Sequence, residues 1–271
     1  MKNQNETSKN TAETALKQYM DYWEAQKGLP SDTLEVILES LQNQGEFQEF
    51  ARFEKSIKVV FDQTNFRIVH LTDNATDLLG YTSEDFISEN INLFFKLIDP
   101  THLDFAIKAT QFSFDAKNKI GIEAYSKNTI LFVCGIKAIK KDGSLCRLLM
   151  KYRSLVFDAQ AVVQTALITF EDVTFLMKSD FYWSILSCGD NKEHRFHFVS
   201  NVEKDIKNDI ISDREKDVLR LLAKGMESKE IGNQLFISSG TVDNHRKNMI
   251  ARTGARDTTA LLQLCLSCGI I

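Results

Sequence analysis

Asn244, Lys247, Asn248 and Ala251 recur at intervals of three and four residues, the spacing that sets side chains on one face of an α-helix. Amides and a lysine on such a face can exchange hydrogen bonds with base edges. An alanine among them leaves room for close approach, so the face has the chemistry and the slimness to enter a DNA major groove. Thr241 stands near the start of the same helix, where a hydroxyl suits a phosphate oxygen.

The elements that must position this face are legible upstream. A helix over Ser239 to Thr253, capped by Ser238, puts Val242, Met249, Ile250 and Thr253 on the inward stripe opposite the polar set. Ser212 followed three residues later by Glu215 is a capping-box pair that starts an earlier helix, which buries Val218, Leu219, Leu221 and Leu222 and ends at Gly225. A short middle helix fits Lys229 to Leu235, with Ser228 as its cap, Ile231 and Leu235 stacked at i, i+4, and Gly232 allowing another helix to approach closely. Helix, turn, helix: this is the framework that carries a reading helix.

The run Ser-x-Arg-Glu-x-x-Val-Leu from Ser212, Ala-x-Gly from Ala223, Ser-Lys-Glu-Ile from Ser228 and Ile-Ser-x-x-Thr-Val-x-x-His from Ile237 resembles the LuxR-type helix-turn-helix domain of bacterial transcription regulators. The resemblance covers roughly the last 60 residues. It implies four helices, the third reading double-stranded DNA and the fourth pairing with a second copy. It also implies framework roles for Glu215 and Gly225, a backbone contact for Thr241, and base-reading roles for Asn244 and Lys247. Asp243 departs from the commonest pattern, which has Lys or Arg there; Arg246 and Lys247, at i+3 and i+4, can hold the acid.

Charge is consistent with this placement. Residues 208–271 carry nine Lys or Arg against eight Asp or Glu, net +1, and the other 207 residues carry 24 against 29, net −5, giving the chain's −4. From Ile237 to Arg256 the balance is four basic to one acidic, so positive charge gathers on the reading helix. An acidic whole excludes a general nucleic-acid coat and is compatible with specific binding.

Residues from about Ser56 to Met177 have a different character. FRIVHL at 66–71 is rich in β-formers, helical pieces follow at Asn74 to Leu79, after Thr82 or Ser83, and around His102 to Thr110, and strand-like runs span Thr129 to Ile139, Leu145 to Phe157 and Ala161 to Val173. Asp142-Gly143 marks a hairpin turn between the first two of those runs. The segment NATDLLGYTSEDF at Asn74 to Phe86, with the three long closing strands, resembles a PAS sensor domain, which implies an antiparallel sheet covered on one face by small helices. Phe181 to Cys188 and Arg195 to Val199 suggest an added hairpin.

The expected fold is therefore α+β. A polar tail covers residues 1–12 and a helical hairpin covers 13–55, with Leu16, Trp23 and Leu38 on its apolar stripes. A PAS-like domain then spans 56–200, a charged linker 201–210 and the DNA-binding domain 211–271. Aromatics in the sensor (Phe86, Phe94, Phe95, Phe105, Phe112, Phe114, Phe132) either line a small-molecule pocket or form plain core. A histidine such as His102 serves as a solvated or capping residue or as a haem ligand; no second motif names a cofactor. Cys265 and Cys268 have CxxC spacing inside the apolar run LLQLCLSCGII, where packing accounts for them as well as redox chemistry does. Five cysteines without framework spacing suit a reducing cytoplasm, and no apolar run of 18 residues indicates a membrane.

Glycine-rich phosphate loops, HExxH and GxSxG are missing from the sequence, so no enzyme chemistry is expected. The leading expectation is a sequence-specific transcription regulator, homodimeric, controlled by a small-molecule or protein signal at its sensor half. The alternative is a PAS-type protein-interaction module with weak or lost DNA binding, which Asp243 keeps open.

Overall fold

The computed structural model describes residues 55–120, 130–158, 163–180, 182–188, 194–199 and 210–271. The helical hairpin, the tail and residues 201–209 of the linker lie outside them. The chain divides into two compact units: one runs through Asp172 and takes in Ser184–Phe198, and the other comprises Val173–Trp183 and Val199–Ile271.

The first unit is built on a mixed-length antiparallel sheet. Its strands are β1 (Ser56–Asp62), β2 (Arg67–Leu71), β3 (Ile130–Ile139), β4 (Leu145–Phe157), β5 (Val163–Asp172), β6 (Trp183–Cys188) and β7 (His194–Val199), in the order β2-β1-β5-β4-β3-β6-β7. β1 pairs with β5 through Val59 and Ile168, β4 with β5 through Leu149 and Glu171, and β3 with β4 through Gly135 and Leu149. The Asp142-Gly143 hairpin turn forms as expected, Gly143 at φ 85° with Lys140 N–H donating to Ser144 O at 2.8 Å. The added hairpin extends the sheet at its β3 edge, with Val133 opposite Ile185.

Between β2 and β3 lie α1 (Ala75–Leu79), α2 (Ser83–Glu89), α3 (Ile91–Leu97) and α4 (Pro100–Ile120). Asn74 explains why α1 starts where it does: its amide donates to Ser56 O at 2.7 Å and its Oδ1 accepts from the Thr72 hydroxyl at 2.8 Å, pinning the helix to β1. Gly80, at φ 79°, ends α1 in the left-handed region that glycine adopts freely. Thr82 then caps α2 in a capping box with Asp85. Two elements differ from the sequence reading. α4 is 21 residues long rather than a short piece around His102, and α3 has no counterpart in the sequence reading, which names only Phe94 and Phe95 from it.

α3 and α4 pack against β3, and buried Phe86, Leu93, Leu97, Ile136, Ala138 and Leu148 form the core between helices and sheet. Antiparallel strands with small helices over one face are the architecture that the PAS resemblance implied. His102 is 1% exposed, edge-on to Phe105 with ring centroids 4.9 Å apart. It is neither solvated nor among the residues lining the cavity under the helices.

The second unit contains α5 (Asp213–Ala223), α6 (Ser228–Leu235), α7 (Ser239–Thr253) and α8 (Thr258–Ser267). Val218, Leu219, Ile231, Val242, Met249, Leu261 and Leu264 close its core. It also takes in residues 173–183, a strap that follows β5. Leu176 O accepts from Arg256 N–H at 2.8 Å, Lys178 N–H donates to Gly254 O at 2.8 Å, and the Trp183 indole donates to Thr253 O at 3.2 Å. Val173, Leu176, Met177 and Trp183 are buried. Gly254, at φ 76°, ends α7 beneath the strap, and a Cβ there would meet Ser179 Oγ at 3.0 Å.

Candidate nucleic-acid interface

α7 begins as its sequence dictates. Ser238 Oγ accepts from Thr241 N–H at 3.0 Å and shares a hydrogen bond with Thr241 Oγ1 at 2.8 Å, which holds the half-buried Thr241 hydroxyl at the positive end of the helix. One full face follows. Asn244, Lys247, Asn248 and Ala251 are all exposed, and the first three side chains make no hydrogen bond or ion pair with the described residues. The opposite stripe is occupied by Val242, Met249 and Thr253, all buried, with Ile250 half-buried.

α6 supports α7 through a close backbone approach. A Cβ on Gly232 would sit 2.7 Å from Ile237 O and 3.2 Å from Ser239 N, so the residue is small because the turn and the first residue of α7 come close to it. The cap of α6 also differs from expectation. Glu227, in a reciprocal box with Glu230, caps the helix; Ser228 lies inside it. The Ser228 hydroxyl is thereby free to donate to Asp243 at 2.7 Å.

Asp243 is held on two sides, by Ser228 and by Arg246 at 3.2 Å; Lys247, the other cation read as a partner, is not bonded to it. Arg246 also donates to Thr258 Oγ1 at 2.9 and 3.2 Å. It is a knot joining α6, α7 and α8 rather than a loose cation awaiting phosphate. Glu215 plays the matching role at the other end. Its carboxylate accepts from Ser212 N–H and Oγ at 2.9 Å and from Arg252 at 2.5 Å, and Arg252 reaches on to Ile210 O. Burial works against its charge, but the Arg252 and Ser212 hydrogen bonds outweigh it and hold the carboxyl below the ordinary glutamate value.

Phe236 was missed by sequence reasoning. It closes α6 at φ 57°, in the left-handed region that a bulky residue adopts only under strain, and its ring is 95% exposed in the turn that leads to α7. The Leu-Phe-Ile run around it reads as core, which hid it. In α8, Leu261, Leu264, Cys265 and Cys268 turn inward, and burial pushes the Cys265 thiol up to about 12. Leu266 remains 57% exposed and Leu262, one turn before, is half-buried.

Comparison with known proteins bears on this unit. Residues 209–265 match the luxR family of bacterial regulatory proteins. The transcriptional regulatory protein MctR of Rhizobium johnstonii is 38% identical over 64 residues, which are 24% of this chain and 30% of that protein. The oxygen regulatory protein NreC of Staphylococcus aureus is 36% identical over 74 residues, 26% of this chain and 34% of that one. The chain thus spans about a third of the length of these curated relatives. Among solved structures, the PAS domain of a Colwellia psychrerythraea protein aligns with 49% of this chain and 99% of its own at 19% identity and a TM-score of 0.34. VqmA of Vibrio cholera in a ligand–DNA complex aligns with 83% and 88% at 16% identity and a TM-score of 0.30. The capped helix order and the glycine-tightened turn thus fall within residues 209–265, the stretch that matches the luxR family of bacterial regulatory proteins.

Proposed function

We propose that the protein is a sequence-specific, DNA-binding transcription regulator whose PAS-like unit receives a signal, acting as a homodimer. The observation that carries this reading is the outward face of α7, where Asn244, Lys247 and Asn248 are exposed and uncommitted within a luxR-type domain. Asn244 and Lys247 read base edges, Asn248 supports them, and Thr241 contacts a phosphate at the helix start. Two copies related by a two-fold axis would set two reading helices about one DNA turn apart and call for an inverted-repeat site.

The test begins with capture of genomic fragments by the full chain and continues with anisotropy titrations on the recovered site. Lys247→Ala and Asn244→Ala each weaken specific binding by about 1–3 kcal/mol while leaving the fold intact. Unchanged affinity in both variants would remove the base-reading assignment; no enriched fragment at any salt concentration would leave the protein-interaction reading in its place.

A further inference from the structure

Beneath α3 and α4, the sensor unit encloses a cavity of about 130 Å³. Its walls are almost wholly apolar, with Phe94, Phe95 and Phe132 among the aromatics that the sequence flagged, and among the described residues no Asp, Glu, Lys, Arg or His lines it. Four lining residues carry polar groups that matter, and three are already engaged. Thr110 Oγ1 donates to Ala106 O at 2.9 Å and Ser113 Oγ to Thr110 O at 2.7 Å, both inside α4. Tyr152 Oη accepts from Gln63 Nε2 at 2.5 Å. The fourth is Gln63 itself. It is 3% exposed, and its Oε1 has no hydrogen-bond partner among the described residues.

A buried amide oxygen left unpaired is costly, and structures keep such groups only where something else meets them. An apolar cavity of roughly 150 Å³ holds benzene, so a volume of this size fits a single ring. The absence of charged liners makes an ionised guest unfavourable. Cys134 adds no charge either, since burial pushes its thiol far up and keeps it protonated.

We propose that the cavity is the binding site for an uncharged ligand of single-ring size, apolar over most of its surface, that donates one hydrogen bond to Gln63 Oε1, with Tyr152 fixing the amide. This deepens the sensor reading and rests on it only for the consequence that occupancy alters DNA binding. The shape of the site selects the ring; Gln63 selects the donor.

Calorimetric titration of the full chain with phenol, toluene, benzaldehyde and benzoate tests the assignment, using Gln63→Met, Tyr152→Phe and Ala106→Leu beside the native protein. Phenol and toluene should bind the native chain and benzoate should not. Gln63→Met should shift the phenol-to-toluene affinity ratio roughly tenfold toward toluene, the worth of about one hydrogen bond to a buried group. Tyr152→Phe should move the ratio in the same direction, and Ala106→Leu, which adds bulk to the wall, should abolish both. An unchanged ratio in a folded Gln63→Met or Tyr152→Phe protein would overturn the proposal. So would benzoate binding as well as phenol does, benzaldehyde outcompeting phenol, or no binding by either neutral ring. DNA affinity measured on the same preparations separates the two readings: intact DNA binding without ring binding ends this inference alone, and ring binding without DNA binding ends the regulator reading alone.

Discussion

At the scale of single residues, Asp243 is the one acid on α7, the helix proposed to read DNA. It offsets charge on α7, and its half-exposed carboxylate is bound by Ser228 and Arg246. Asp243→Lys adds a cation and releases Arg246, so non-specific affinity should rise and the logarithmic salt slope should steepen by about one counterion or more. A fall in affinity would show instead that the acid makes a needed contact, such as accepting from a cytosine amine. Glu215 gives a second residue-scale expectation. Because its folded-state value is lowered, its contribution is present above the ordinary glutamate value of 4.5 and disappears as pH falls through the lower folded value. Melting followed through Trp183 fluorescence in a Trp23→Phe background should therefore show Glu215→Gln destabilised at neutral pH and converging on the parent in acid. A deficit that persists undiminished at low pH would refute this account.

At the scale of elements, what was legible depended on how local the determining contacts are. The Ser212–Glu215 box and the Ser238 cap act over three residues, and both helices begin where the pattern places them. α3 failed this test for a physical reason. Its cap residue Asn90 sits at φ 56° and spends its side chain elsewhere, accepting from Ile68 N–H at 2.8 Å and donating to Phe66 O at 2.7 Å, so no local start signal exists. The middle helix of the C-terminal unit shows the same principle in miniature, for Ser228 looks like a cap until its partner on α7 is seen. The polar end of the cavity was equally hidden, since Gln63 and Tyr152 are 89 positions apart. α8 carries the element-scale prediction. Its own domain absorbs Leu261 and Leu264, which leaves Leu262 and Leu266, one turn apart, as the surplus apolar surface. Leu262→Asp with Leu266→Asp should convert a dimer to a monomer in light scattering across a concentration series, without lowering helix content. A parent chain that stays monomeric both free and on DNA would rule out this interface.

At the scale of the whole molecule, the C-terminal unit is discontinuous in sequence. The strap of residues 173–183 supplies the acceptor for Arg256 N–H, a donor to Gly254 O and the indole donor to Thr253 O, all at the C-terminal end of α7. A fragment spanning Val199–Ile271 leaves those groups to water and uncovers the surface that Leu176, Met177 and Trp183 bury. It should melt below the same unit in the full chain and exchange its amides fastest in the last turn of α7. In the full chain, Trp183→Phe should reproduce part of the effect, at about 1–3 kcal/mol. Equal melting of fragment and full-length unit would show the strap to be dispensable.

The strap also imposes an order on biosynthesis. A ribosome releases residues 173–183 well before Thr253, Gly254 and Arg256 exist, so the buried side chains of Leu176, Met177 and Trp183 emerge without their partners. Domains generally fold as units, N-terminal first, during synthesis. The first unit can close once β7 is made, while the strap, translated between β5 and β6, still lacks the helices it clasps. The strap must wait, with its apolar side chains uncovered, for the whole time that β6, β7 and α5 to α7 are being translated.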